Sequence, residues 1–145
     1  MPDPLAAQEG EAALRAVERD WNAAALHWDT ASLAALYTDD AVFYGGRVGH
    51  SVGREQIRAY FDSYATIFTS VRLALVDQQL RALGPGIWLA QGYASFEFDF
   101  AAGGGSQSVL RSTLVLTRRA EGWRIIQHHF SATPAVPPIS TPPVG

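Results

Sequence analysis

The sequence predicts an α+β domain: three N-terminal helices packed on a strongly curved, cone-shaped antiparallel sheet. Three observations carry this. Up to Phe68 apolar residues recur every three to four positions, and beyond Ser70 they alternate instead. Glycine-bearing turns at Gly84-Pro85-Gly86, Gly103-Gly104-Gly105 and Glu121-Gly122 cut the second part into short-linked strands. Helices first and a meander afterwards is the segregated α+β pattern.

Each element follows in chain order. From about Gln8 to Trp28, the residues Leu14, Val17, Trp21, Ala24, Ala25 and Trp28 share one helical face. Asp29-Thr30 caps a short second helix that turns Leu33, Leu36 and Tyr37 inward and is stopped by Thr38-Asp39-Asp40. Ala41-Val42-Phe43-Tyr44 reads as a strand running into Gly45-Gly46. Arg54-Glu55-Gln56-Ile57 opens a third helix with Ile57, Tyr60, Phe61, Tyr64 and Phe68 on one side. Strands are expected at about 71–83, 87–100, 108–118 and 123–131. The predicted domain spans residues 9–132, after an N-terminal arm at 1–8. Residues 133–145 hold five of the eight prolines and read as an extended tail that cannot join the sheet.

Size and composition narrow the function. A length of 145 residues with 48% apolar content suits one domain with one core. Charged residues make up 17% and the net charge is -3, so nucleic acid is excluded as the expected partner. With no cysteine there is neither a disulfide nor a thiolate nucleophile, and the redox compartment stays open. Met1-Pro2-Asp3-Pro4-Leu5 lacks the features of a signal peptide, and no stretch approaches the roughly 18 apolar residues of a membrane span. A cytoplasmic protein without a membrane partner is the expectation. There is no phosphate-binding glycine loop, serine nucleophile motif or dinucleotide fingerprint, and no cofactor is expected.

Alternation along the strands suggests a site. Between Ile87 and Phe100 the even positions Trp88, Ala90, Gly92, Ala94, Phe96, Phe98 and Phe100 are expected to meet the helices, and Leu89 and Tyr93 to face away. On the next strand Arg111 and Thr113 are assigned inward. Leu110, Leu114 and Leu116 then join Leu89 and Tyr93 in an outer patch that predicts a homodimer through the outer sheet face. The alternative is that these leucines are core.

His128 and His129 are consecutive on a strand, so they cannot share a metal, and no metal site is expected. His129, with the parity of Gln127 and Ser131, is assigned inward; His128 goes outward with Ile126 and Phe130. Aromatics interleaved with Gly92 and Ala94 predict a cavity for a small apolar or acidic molecule. Its expected lining is Trp21, Tyr37, Phe43, Phe61, Phe96 and Phe98, with Arg111, Thr113 and His129 as the polar groups. The alternative is that the aromatics fill the core. A buried Arg111 needs a partner, either a ligand carboxylate or a side chain such as Glu55 or Asp39. Asp39-Asp40 reads as a helix end rather than a catalytic pair.

Three segments carry a family likeness: Leu33 to Tyr44 (LAALYTDDAVFY), Val52 to Phe61 (VGREQIRAYF) and Arg118 to Ser131 (RRAEGWRIIQHHFS). Together with the element order they resemble the nuclear transport factor 2-like superfamily, with its cystatin-like fold, over about residues 10–134. SnoaL-like proteins and the association domain of calcium/calmodulin-dependent protein kinase II are the nearest in pattern. For the latter, the pattern is Arg118, Arg119, Gly122, Trp123, His129, Ser131 and Pro134. The resemblance implies the fold; the superfamily holds enzymes, binding proteins and assembly domains alike. Where ketosteroid isomerases of this fold carry a tyrosine, a base and a protonated aspartate, this chain has Trp21, Gly45 and Thr113, which cannot abstract a proton.

The leading expectation is therefore a dimer-forming, small-molecule-binding domain of unassigned activity. One alternative is an isomerase, cyclase or hydratase acting on a small apolar carbonyl compound, with His129 as base and Arg111 steadying an oxyanion. Another is an oligomerisation module without a ligand.

Overall fold

The computed structural model describes residues 4–139, so the first residues of the expected arm and the last of the tail lie outside the described residues. Helix α1 spans Pro4–Ala25 and α2 spans Thr30–Ala34; β1 covers Tyr37–Tyr44 and β2 only Ser51–Val52. Helix α3, Arg54–Asp62, leads into β3 (Phe68–Gly84), β4 (Ile87–Phe100), β5 (Gly105–Arg119) and β6 (Gly122–Ser131). These strands form one sheet in the order β2-β1-β6-β5-β4-β3. The last four make the expected antiparallel meander, but β1 joins β6 in parallel, so the sheet is mixed. That pairing is non-local and has no signature in either strand alone.

Helix α1 buries Leu14, Val17, Trp21, Ala24 and Ala25 along the stripe that its periodicity predicts. It also seals the sheet's exposed edge. β3 is an edge strand, and its unpaired backbone groups are met by α1 side chains. The Leu73 N–H donates to Asn22 Oδ1 (2.7 Å), Asn22 Nδ2 donates to the Leu73 carbonyl (2.9 Å), and the Leu75 N–H donates to Glu18 Oε2 (2.7 Å). Covering an edge in this way blocks strand addition by another chain.

Asp29 caps α2 by accepting the Ser32 N–H at 3.1 Å and the Ser32 hydroxyl at 2.7 Å, and these bonds hold its carboxyl below the usual range. Thr38, Asp39 and Asp40 do not terminate that helix but lie within β1. Asp39 pairs with Arg54, which also donates to the Tyr37 carbonyl at 2.8 and 3.1 Å and so ties α3 to the start of β1. Helix α3 ends at Asp62, and Phe68 opens β3 instead of closing the helix. The described part of the tail, from Ala132 onward, is exposed and forms no strand. No helix among the described residues is long and apolar enough to cross a membrane.

The two faces of the sheet follow from the pairing register, because residues directly opposite each other project to the same side. Trp88, Ala90, Ala94 and Phe96 are buried against the helices, as expected. They pair with Leu116, Leu114, Leu110 and Ser108, so the leucines of β5 are core. The assignment of Arg111 and Thr113 to the inner face is thereby corrected: both lie outside, opposite Tyr93 and Gln91. The histidines exchange places too. Leu114 faces His128 and Thr113 faces His129, and one extra residue, Ile126, bulges out between the pairs Val115–Gln127 and Leu116–Ile125. His128 is fully buried, while His129 is exposed. The outer leucine patch therefore does not exist.

Gly10 decides how closely α1 approaches the sheet. A Cβ there would sit 2.6 Å from the Trp88 ring, which is itself buried. Alanine gains about 1 kcal/mol of helix propensity over glycine, but forcing an atom into a packed interior costs about 1–3 kcal/mol. Gly10→Ala should therefore destabilise the fold in urea unfolding; a raised midpoint would show that α1 can lift from Trp88 without loss.

Candidate functional site

Between α1, α3 and the inner sheet face lies a cavity of about 110 Å³. Trp21 and Trp28 come from α1 and the residues after it, and Tyr60, Phe61, Tyr64 and Phe68 from α3 and the start of β3. Val71, Phe96, Phe98, Leu110 and Phe130 close it from the sheet, with Gly46 at the rim. Some of the rings meet edge-on, Trp21 with Phe96 at 5.9 Å and Trp28 with Phe61 at 5.8 Å, and others stack, Phe68 on Phe98 at 4.8 Å and Phe96 on Phe98 at 5.9 Å.

Of the residues expected to line the cavity, Trp21, Phe61, Phe96 and Phe98 do so. Tyr37 and Phe43 stand behind the wall, packed on Phe61 at 5.9 and 5.8 Å. Arg111, Thr113 and His129 do not enter it. They border a shallow groove of about 490 Å³ on the opposite, outer face, together with Asp77, Gln91 and Tyr93. There Arg111 has a long contact to the Ala132 carbonyl (3.5 Å) and pairs with neither Glu55 nor Asp39. His129 lies 5.3 Å from the Tyr44 ring. A base at His129 thus stands on the far side of the sheet from the cavity, and the acid–base pairing of His129 with Arg111 inside it is excluded.

The inner sheet face carries two buried polar groups, Ser112 and His128, the second of which the sequence reading turned outward. His128 shares a buried hydrogen bond of 2.8 Å with the Tyr37 hydroxyl. Burial, with a smaller contribution from the charge of His129, pushes the His128 pKa down to about 3. Burial likewise raises the Tyr37 hydroxyl, with the Trp21 indole acting weakly against it. Both groups are neutral over the physiological range. His128 Nε2 and the Ser112 hydroxyl have no hydrogen-bond partner among the described residues, so unsatisfied polar atoms stand in a largely apolar interior.

Among the described residues no Asp, Glu, Lys, Arg or His lines the cavity. It offers ring faces and two tyrosine hydroxyls, while the Trp28 indole N–H is taken up by the Phe61 carbonyl at 3.0 Å. Among the described residues no three His, Asp or Glu side chains converge as metal ligands.

The SnoaL-like domain family matches residues 14–136. The chain belongs to this family. No protein of curated function matches it in sequence. Among solved structures, this SnoaL-like domain is similar to a candidate calcium/calmodulin dependent protein kinase II association domain from Xanthomonas campestris. That likeness has 29% identity and a TM-score of 0.76, covering 85% of this chain and 87% of the other. A protein with a cystatin-like fold from Caulobacter vibrioides shares 24% identity over 88% of this chain and 92% of its own, with a TM-score of 0.69. A candidate dehydratase of the nuclear transport factor 2-like family from Streptomyces avermitilis has 14% identity and a TM-score of 0.74, over 88% and 99% of the two chains. The nuclear transport factor 2-like, cystatin-like cone is therefore the fold of this SnoaL-like domain.

Sequence reasoning missed Trp28, Tyr60, Tyr64 and Phe68 as site residues, although their spacing had already put them on inner helical faces. It missed Leu110 and Phe130 because they lie on the two strands whose faces were exchanged.

The buried neutral His128 makes stability depend on pH. Its folded pKa of about 3 lies below the unfolded value of 6.5, so between these limits the unfolded chain takes up a proton that the folded chain refuses, and stability falls as pH falls. From pH 7 to pH 5 this costs about 2 kcal/mol. Urea unfolding at the two pH values should show the excess stability of the native protein over His128→Phe shrinking by about that amount. An unchanged difference would mean that His128 titrates alike in both states.

Proposed function

We propose that this SnoaL-like domain binds a small, flat, apolar molecule of about one ring in its inner cavity, and that it supplies no acid–base group to transform it. The observation that carries this reading is a nearly all-aromatic cavity of about 110 Å³ without a charged side chain in its wall. The volume is decisive for ligand size. Drug-sized ligands occupy about 300–1,000 Å³, whereas an apolar cavity of about 150 Å³ takes up benzene. An aliphatic chain would lose rotamer entropy on entering, and a rigid ring loses little.

Trp21 and Trp28 border the cavity and report on it directly. Toluene or phenol should quench or shift their fluorescence saturably, with matching heat in calorimetry. Leu110→Phe, which adds volume from the cavity wall, should weaken binding at least about tenfold. Absence of a saturable signal with any single-ring probe, or undiminished binding in Leu110→Phe, would remove the reading.

Pairing through the outer sheet face belongs to the same proposal, on a basis other than the leucines. Val76, Ile87, Tyr93 and Val109 expose apolar side chains on that face, between 36% and 56% of their surface each. Val76 is paired directly with Tyr93, and Val109 opposite Ser95 lies beside them, so these three adjoin while Ile87 stands further along the strand. Sedimentation should give a dimer for the native chain and a monomer for Tyr93→Asp/Val109→Asp; a native monomer at tens of micromolar would contradict it.

A further inference from the structure

The cavity's rim differs in kind from its wall. Arg47 follows Gly46, a rim residue, and its guanidinium lies 4.2 Å over the Tyr64 ring. It is held there by Ser63, donating from Nε to the hydroxyl at 3.1 Å and from Nη2 to the carbonyl at 3.0 Å. These bonds occupy two of the five N–H donors of a guanidinium. Like Arg81, Arg111, Arg119 and Arg124, Arg47 pairs with no Asp or Glu among the described residues, and of these five it is the one beside the cavity.

Two hydroxyls share the rim. Tyr60 accepts the Gly46 N–H at 2.8 Å, and a Cβ built on Gly46 would meet the Tyr64 and Tyr60 hydroxyl oxygens at 3.2 and 3.7 Å. Burial raises the Tyr60 pKa and the Arg47 charge acts against that rise, which places the cation's field on the same spot. A cation and two phenols thus stand beside a cavity whose volume suits a single ring.

We infer that the ligand is an aromatic ring bearing one anionic substituent, the ring seated among the aromatic side chains and the anion held at the rim by Arg47. This rests on the binding reading above and adds the ligand's charge and polarity. The Gly45–Gly46 turn is part of the device. A Cβ on Gly45 would collide with the Tyr60 ring, so only glycine lets the loop bring Arg47 this close. Arg47 acts as a specificity-determining residue, since it touches the substituent and not the ring.

Benzoate and its neutral isostere benzamide separate the two claims. Calorimetry or tryptophan fluorescence at pH 7.5 and low salt should show benzoate bound about tenfold more tightly than benzamide. The preference should shrink with added salt. Arg47→Met, which keeps the stem over Tyr64 and removes the charge, should abolish the preference by weakening benzoate about tenfold while benzamide loses far less; Arg47→Lys should restore part of the preference. Equal affinities in the native protein, or a benzoate preference that survives in Arg47→Met, would overturn the inference and leave the cavity's role in ring binding intact. Failure of both probes to bind would overturn the inference together with the reading beneath it.

Discussion

Side chains paired across antiparallel strands must project to the same side, and this constraint organises the molecule. Once Trp88 and Ala90 lie under α1, Leu116 and Leu114 must lie there as well. Through Leu114 the rule passes to His128, and through Ser112 to Phe130. A single register thereby assigns three strands, and no residue can be turned over alone. The helices have only to cover the resulting apolar surface. α1 does so closely enough at Gly10 for its backbone to touch the Trp88 ring, and its Glu18 and Asn22 finish the hydrogen bonding of the edge strand.

The same constraint brings a histidine into the core. His128 follows from the register and not from a need for chemistry at that point, and the fold accommodates it by keeping it uncharged and bonded to Tyr37. A protonated imidazole so deeply buried and without a counter-charge would be far costlier than the neutral form. The pair is thus a weak proton acceptor behind the cavity wall. Among the described residues the charged side chains stand on the solvent-facing sides of the helices, loops and sheet, where water still reaches them. The division leaves the interior to supply shape and the solvent-facing surface to carry the charge.

Much of the fold was legible, and the reasons are local. The helical stripes of α1 and α3, the Asp29 cap and the alternation of β4 are each encoded within a few consecutive residues. The faces of β5 and β6 were misread because a polar residue was sought for the interior. The energies argue the other way. Burying Arg111 unpaired costs several kcal/mol, while turning each of three leucines to water forfeits about 2 kcal/mol more. Leu110, Leu114 and Leu116 therefore outweigh Arg111 and Thr113 by a wide margin. The Ile126 bulge, the parallel β1–β6 contact and the two-residue β2 depend on distant partners and leave no trace in their own segments. The rim arginine was missed for a related reason, since Arg47 is an exposed loop residue whose contacts with Tyr64 and Ser63 form only in the folded chain.

The chain contains no cysteine, so a single introduced thiol reports its own surroundings without interference. Arg111 and Ser112 are neighbours on β5 with opposite orientations, the first exposed and the second 3% exposed. The most direct test of the register is the rate at which Arg111→Cys and Ser112→Cys react with a thiol reagent in the folded protein. The account predicts rapid modification of Arg111→Cys and modification of Ser112→Cys only on unfolding. The reverse order would put the leucines of β5 outside, return Arg111 to the cavity and contradict the whole assignment.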